Sequence, residues 1–85
     1  MKVYIVTLTT LYDNGDTDYD IRDVFQDKED ADRELLKLYN DEVKENKYNI
    51  EIHDARIYNN GFHIECIENY SELVIIGKIE EKELK

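Results

Sequence analysis

Only one segment of this chain places apolar residues at helical spacing, and strand-like segments lie on both sides of it. The members of this stripe are Ala31, Leu35, Leu38, Tyr39 and Val43. Their spacing predicts an amphipathic helix that ends near Asn46. Asp27 precedes the stripe as a helix N-cap, and Asp30 follows three residues later. A single helix among several strands predicts an α+β fold.

The remaining apolar residues predict five strands. Segments rich in β-branched and aromatic residues cover residues 2–12, 18–26, 48–58 and 73–79, and a further strand follows the turn at Asn60–Gly61. Residues 2–12 are apolar on both faces near their start, which predicts a central strand. The order β-β-α-β-β-β predicts one domain over residues 1–85, with an antiparallel or mixed sheet, the helix packed on one face, and a solvated tail at residues 80–85.

Alternation along the second strand predicts how its two faces divide. Turn residues at 13–16 connect it to the first strand. Tyr19, Ile21 and Phe25 are expected to share one face. The residues expected on the opposite face are Asp18, Asp20 and Arg22.

The later hairpin is predicted from its turn residues. Asn60–Gly61 is typical of a two-residue turn in which Asn59 pairs with Phe62. This register pairs Ala55 with Cys66 on an apolar side. A bulge near His53 or Asp54 is needed to bring Ile50 and Ile52 to the same side.

Negative charge is concentrated in one part of the chain. The sequence holds 21 acidic and 11 basic residues, a net charge of −10, and residues 13–34 alone contribute ten acids and three bases, or −7. Alternate strand residues lie about 6.7 Å apart, or about two axial steps of a DNA strand. This predicts a surface that binds a basic partner. Its predicted residues are Asp16, Asp18, Asp20, Asp23, Asp27, Glu29, Asp30, Asp32, Tyr12 and Tyr19.

No group of residues predicts catalysis, a metal or a cofactor. Cys66 is the single cysteine and is expected in the core. Asp16, Asp18 and Asp20 have the spacing of a calcium loop, but Ile21 stands where that loop needs glycine. In the predicted register His53 and His63 lie on different faces. We therefore expect no enzyme activity.

The charge balance also limits location and partners. Direct binding to nucleic acid or to anionic lipid needs lysine and arginine, so neither is expected. No run of about 18 apolar residues occurs and no signal peptide is expected, so the chain is predicted to be cytoplasmic.

Two stretches resemble a known group of proteins. KVYIVT at residues 2–7 and VFQDKEDA at residues 24–31 resemble small uncharacterised proteins of bacteriophages and mobile elements in low-GC Gram-positive bacteria. In size and acidity the chain is also similar to anti-CRISPR proteins, several of which resemble DNA in charge layout. The resemblance implies an inhibitor of a basic, nucleic-acid-binding host protein such as a CRISPR effector nuclease.

Two alternatives remain open. The first is a self-associating accessory module that forms a homodimer through exposed strand edges, with acidity serving only solubility. The second is a protein that sequesters a small signalling nucleotide, for which the acidity is unfavourable.

Overall fold

The computed structural model describes residues 1–45, 50–68 and 70–84 and has one helix and five strands. In chain order the elements are β1 (Lys2–Tyr12), β2 (Thr17–Phe25), α1 (Lys28–Glu45), β3 (Ile50–Tyr58), β4 (Gly61–Glu68) and β5 (Ser71–Glu83). The predicted order of two strands, one helix and three strands is confirmed. Residues 48 and 49, which the sequence assigns to the third strand, lie outside the described residues.

All five strands form one antiparallel sheet in the order β2-β1-β5-β4-β3. β1 therefore lies inside the sheet, between β2 and β5, as its two apolar faces predict. β2 and β3 form the two edges. Because α1 connects these edge strands, it crosses the sheet and covers one face of it.

The core lies between α1 and the sheet. Ala31, Leu35 and Leu38 are buried at the predicted stripe positions, with Tyr39 and Val43 packed against the same cluster. The sheet contributes a second set of buried residues, namely Val6, Phe62, Ile64, Cys66, Leu73, Ile75 and Ile79. We call the side of the sheet that carries Tyr4, Val6 and Leu8 the helix face, and the side that carries Ile5, Thr7 and Thr9 the open face.

The hairpin of β3 and β4 turns one residue earlier than predicted. Tyr58 pairs with Gly61, so Asn59 and Asn60 form the turn, and Asn60 takes a positive φ of 67°. Asparagine tolerates this left-handed conformation better than most residues. Consequently Ala55 pairs with Ile64 rather than with Cys66.

A bulge in β3 confirms one part of that prediction. The register shifts between Ile52 and Asp54, so His53 is the extra residue. Ile52 then pairs with Cys66 and packs against the core, as the predicted bulge requires. Cys66 itself is buried at 2% exposure, which confirms its core position.

The C-terminal segment is exposed but is not a tail. β5 continues to Glu83, and residues 80–83 pair with residues 2–5 of β1. Lys2 forms an ion pair with Glu81 (3.4 Å), and the Met1 ammonium forms one with Glu83 (3.3 Å). The sequence does not indicate this part of the strand because its side chains are charged. Its pairing with β1 is made by backbone hydrogen bonds, which do not require apolar side chains.

Candidate functional site

Three aspartates form a row on the helix face of β2, the edge strand. Asp18 pairs with Thr10, Asp20 with Leu8, and Asp23 with Val6 of β1. Because directly paired residues of antiparallel strands point to the same side, all three carboxylates lie on the face that carries α1. We call Asp18, Asp20 and Asp23 the acidic row.

A β-bulge at Arg22 creates this row. The β1–β2 register shifts between Val6 and Thr7, so Arg22 is an extra residue without a directly paired partner. The shift moves Asp23 and Phe25 to the helix face, where Phe25 packs against the core. The prediction that Phe25 shares a face with Tyr19 and Ile21 is therefore wrong, and Asp23 takes the place predicted for Arg22.

The acids of the N-terminal part of α1 follow directly from the row along the chain. Asp27 is the N-cap, since its side chain accepts a hydrogen bond from the Glu29 N–H (3.0 Å) and its carbonyl accepts the first helical bond from Ala31. This confirms the predicted helix start. Glu29 and Asp30 lie exposed in the first turn, where negative charge interacts favourably with the helix dipole.

Local ion pairs neutralise only part of the segment's charge. The pairs are Arg22 with Asp20 (3.0 Å), Lys28 with Asp32 (2.5 Å) and Arg33 with Asp30 (2.9 Å). Among the described residues, the seven acids of this segment without an ion pair are Asp13, Asp16, Asp18, Asp23, Asp27, Glu29 and Glu34. All three bases are thus engaged locally, and an excess of seven negative charges remains.

Hydrogen bonds also orient Asp18 and Asp16. The Tyr12 hydroxyl donates to Asp18 Oδ2 (2.8 Å). In the β1–β2 turn, the Asp16 N–H donates to Asn14 Oδ1 (2.9 Å) and Asn14 Nδ2 donates to Asp16 Oδ2 (3.1 Å). Asp18 is therefore held in place from β1, while Asp16 is held by its own turn.

The two tyrosines predicted for the site lie on opposite sides of the sheet. Tyr12 pairs with Leu73 on the helix face, beside Asp18. Tyr19 pairs with Thr9 on the open face and is 59% exposed. The structure therefore brings Tyr12 to the acidic row and separates Tyr19 from it.

A histidine and two carboxylates meet on the open face, at the other end of the sheet. Ligand atoms of Asp54, His63 and Glu65 lie within 4.8 Å of one another, a spacing that suits a divalent cation. However, Arg56 Nε is 2.9 Å from Asp54 Oδ2, and His63 Nε2 is 3.7 Å from Glu65 Oε1. These contacts join residues two apart on the same strand, Asp54 with Arg56 on β3 and His63 with Glu65 on β4, and explain the cluster as polar pairs on the sheet surface. His53 is the bulge residue of β3 and has no directly paired residue on β4.

Sequence reasoning missed the apolar surface of the open face. Tyr19, Ile21 and Val24 of β2 are 50–59% exposed there, and α1 covers only the other face. The apolar residues on both faces of β1 were a signal for this surface. That pattern predicts a central position in the sheet, which is correct. Val3 and Thr7 of β1 are buried on the open face, but the apolar residues of the edge strand β2 remain exposed.

Comparisons with protein-family models, with curated proteins and with solved structures found no match to this chain. In the described part of the chain, no helix has both the length and the apolar character needed to cross a membrane. Functional interpretation therefore depends on the chain's own geometry and charge.

Proposed function

We propose that this protein inhibits a nucleic-acid-binding protein of host defence by placing its acidic edge in a cationic cleft. We define the acidic edge as Asp16, the acidic row, Asp27, Glu29, Asp30 and Asp32. The observation that carries the proposal is the excess of seven negative charges in residues 13–34 after local ion pairing.

The arrangement of β2 supports phosphate mimicry. A nine-residue strand extends roughly 30 Å, with alternate side chains about 6.7 Å apart on one face. Asp18 and Asp20 have this spacing, and the bulge adds Asp23 to the same face. Lysines and arginines arranged for phosphates at about 3.4 Å steps can therefore engage a carboxylate at every second step.

Exposure and rigidity also favour binding. Every residue of β2 before Phe25 is exposed, so a partner reaches the acidic row without any rearrangement of the sheet. The Tyr12 hydroxyl already orients Asp18, which lowers the entropy lost when a partner binds. Binding of the acidic edge to a cationic cleft would release counterions from both surfaces. Attraction between the two surfaces would also steer their approach over a distance near the Debye length.

The partner class follows from charge and from resemblance. The acidic edge repels nucleic acids and anionic lipids and attracts lysine- and arginine-lined channels. The likeness to small phage and mobile-element proteins, and to anti-CRISPR proteins in size and acidity, favours a CRISPR effector nuclease in the host cytoplasm. A signalling nucleotide is a weaker candidate because its phosphates would meet the same repulsion.

Two variants of equal charge would test the proposal against a panel of guide-loaded CRISPR effector nucleases. The first combines Asp18→Asn, Asp20→Asn and Asp23→Asn. The control combines Asp41→Asn, Glu81→Gln and Glu83→Gln, which are exposed and lie outside residues 13–34 and away from the open face. Each variant removes three negative charges, so the pair separates the position of the charge from its total.

We expect the wild-type chain to block DNA cleavage by one or more effectors at low salt. The acidic-row variant should lose about tenfold or more in inhibition, since exposed charge pairs contribute about 0.2–1 kcal/mol each. The control variant should stay within about twofold of wild type. Equal loss in both variants would contradict a localised site, and no inhibition of any effector would contradict the partner class.

A further inference from the structure

The open face carries a continuous apolar surface over three neighbouring strands. Its exposed members are Leu11 (37%), Tyr19 (59%), Ile21 (56%) and Val24 (50%), and its half-buried members are Ile5, Thr9, Val74 and Ile76. We call these eight residues the open-face patch. Exposed apolar surfaces that extend across several strands mark sites of association in soluble proteins.

The strand register joins these residues into one surface. Tyr19, Thr9 and Ile76 lie side by side across β2, β1 and β5. The next row toward the β1–β2 turn contains Leu11 and Val74. Within the part of the chain that the structure describes, the helix packs only on the opposite face, so none of its residues covers this patch.

The distribution of charge favours a second copy of the chain as the partner that covers the open-face patch. Among the side chains that the structure describes, the charged residues of the open face are Asp54, Arg56, Glu65, Glu72, Lys78, Glu80 and Lys82. Three bases thus oppose four acids, so the described side chains of this face carry an excess of one negative charge, whereas the whole chain carries ten. Two copies can approach through their open faces with little repulsion, whereas contact through the acidic edges is strongly opposed.

Mixed charges beside the patch also suit an interface between identical copies. Lys78 and Lys82 alternate with Glu80 along β5 on this face. In a twofold interface each contact occurs twice, so a lysine of one copy that meets a glutamate of the other forms two equivalent pairs. A strongly basic partner, in contrast, would find an excess of only one negative charge among the described side chains of this face.

We propose that two copies of this chain associate face to face through the open-face patch. The sheets then form a two-layer β-sandwich with the two helices outside. This differs from association through strand edges, since the contacts are made by side chains of β2, β1 and β5. The acidic row lies on the other face of β2, so each dimer presents two acidic edges, and the dimer does not depend on the proposed inhibitory function.

Sedimentation velocity tests the proposal with two matched variants. Ile21→Asp places a carboxylate in the patch at a residue that is 56% exposed, and Leu36→Asp makes a similar change on the outer surface of α1 at a residue that is 48% exposed. Tyr19→Ala is a milder second variant within the patch. Circular dichroism establishes that each variant is folded, and protein concentration is varied from about 1 to about 200 µM.

We expect a species of twice the 10.2 kDa chain mass for the wild type and for Leu36→Asp. Ile21→Asp should raise the dissociation constant of the dimer by about 100-fold or more, because dimerisation would then remove an unpaired carboxylate from water. Tyr19→Ala should raise it about tenfold, as expected for truncation of an aromatic contact.

Salt separates this interface from binding by the acidic edge. Dimerisation should be unchanged or stronger at about 0.5 M salt, because salt screens the repulsion between two chains of like charge. A wild-type chain that stays monomeric over the whole concentration range would overturn the proposal. So would a dimer that Leu36→Asp disrupts as strongly as Ile21→Asp, or one that salt dissociates.

Discussion

Replacement of Gly77 by alanine should destabilise the fold through a collision with Phe62. Gly77 of β5 pairs with Phe62 of β4, and the aromatic ring lies directly over the glycine. A Cβ atom at Gly77 would lie 2.0 Å from Phe62 Cε2 and 2.5 Å from its Cδ2 and Cζ atoms. The Phe62 ring is fully buried and contacts the Tyr39 ring edge-on, with centroids 5.6 Å apart.

The magnitude follows from how far the ring must move. Ordinary contact begins at about 3.4 Å, so the ring or the strand must shift by more than about 1 Å in a packed core. Overpacking of this kind costs about 1–3 kcal/mol. Alanine recovers roughly 0.5–1 kcal/mol of the conformational entropy cost of a strand glycine. A net loss of about 1–2 kcal/mol is expected, which lowers Tm by roughly 4–8 °C per kcal/mol in a domain of this size.

Urea unfolding followed by circular dichroism measures this loss, with Gly61→Ala as the control. A Cβ atom at Gly61 would meet the ring of Tyr58 at 2.7 Å, but that ring is 55% exposed and can turn into solvent. The same Cβ atom would lie 3.1 Å from the Gly77 carbonyl oxygen, which requires a much smaller shift than the collision at Gly77. Gly61→Ala should therefore cost less than Gly77→Ala, and Phe62→Leu should reduce the cost of Gly77→Ala. If Gly77→Ala is as stable as wild type, Phe62 does not cover Gly77 and the β4–β5 register is wrong.

Three further substitutions test local features by urea unfolding. Asp27→Ala should lower the unfolding free energy by about 1 kcal/mol because the Glu29 N–H loses its capping partner. Asp27→Ser should lower it by much less, because serine also accepts a hydrogen bond at the N-cap position. Asn60→Val should cost about 1–3 kcal/mol because a β-branched residue is strained at φ 67°, and Asn60→Gly should be nearly neutral; equal effects would contradict the turn geometry. Tyr12→Phe removes the donor to Asp18 and should cost less than about 1 kcal/mol at this exposed position, while a loss above about 2 kcal/mol would mean that the pair is buried.

Side-chain periodicity predicted which elements form and which faces they bury. The stripe from Ala31 to Val43 has no alternative strand interpretation, and Asp27 has the residue type that a helix start requires. The apolar residues on both faces of β1 likewise predicted its central position in the sheet, which is confirmed. These features depend on residues that are close together along the chain, so they can be predicted from the sequence of this chain alone.

Register and bulges depend on the partner strand, and here prediction failed. Arginine is not a residue type that indicates a bulge, yet the bulge at Arg22 decides which face Asp23 and Phe25 occupy. In the later hairpin, Asn59–Asn60 and Asn60–Gly61 are both suitable turns, and a shift between them preserves the alternation of faces. Packing of Phe62 over Gly77 fits the observed register, and that contact lies between two strands.

Among the predicted site residues, those of the acidic row and the helix start follow one another along the β2 edge, since β2 leads directly into α1. Tyr19 is separated from them by the alternation of the strand. The open-face patch was not predicted as a surface, because apolar residues on both faces of β1 indicate burial without indicating what provides it. In this fold α1 covers one face of the sheet, and we propose that a second copy of the chain covers the other.

A backbone amide NMR titration with a lysine-rich peptide tests most directly whether the acidic edge is the surface that receives cationic groups. The account predicts chemical-shift changes concentrated between Asp16 and Asp32, with β3, β4 and β5 nearly unchanged, and a strong reduction of these changes at about 0.5 M salt. Shift changes spread evenly over acidic residues throughout the chain, including Asp41, Glu72 and Glu80, would contradict it.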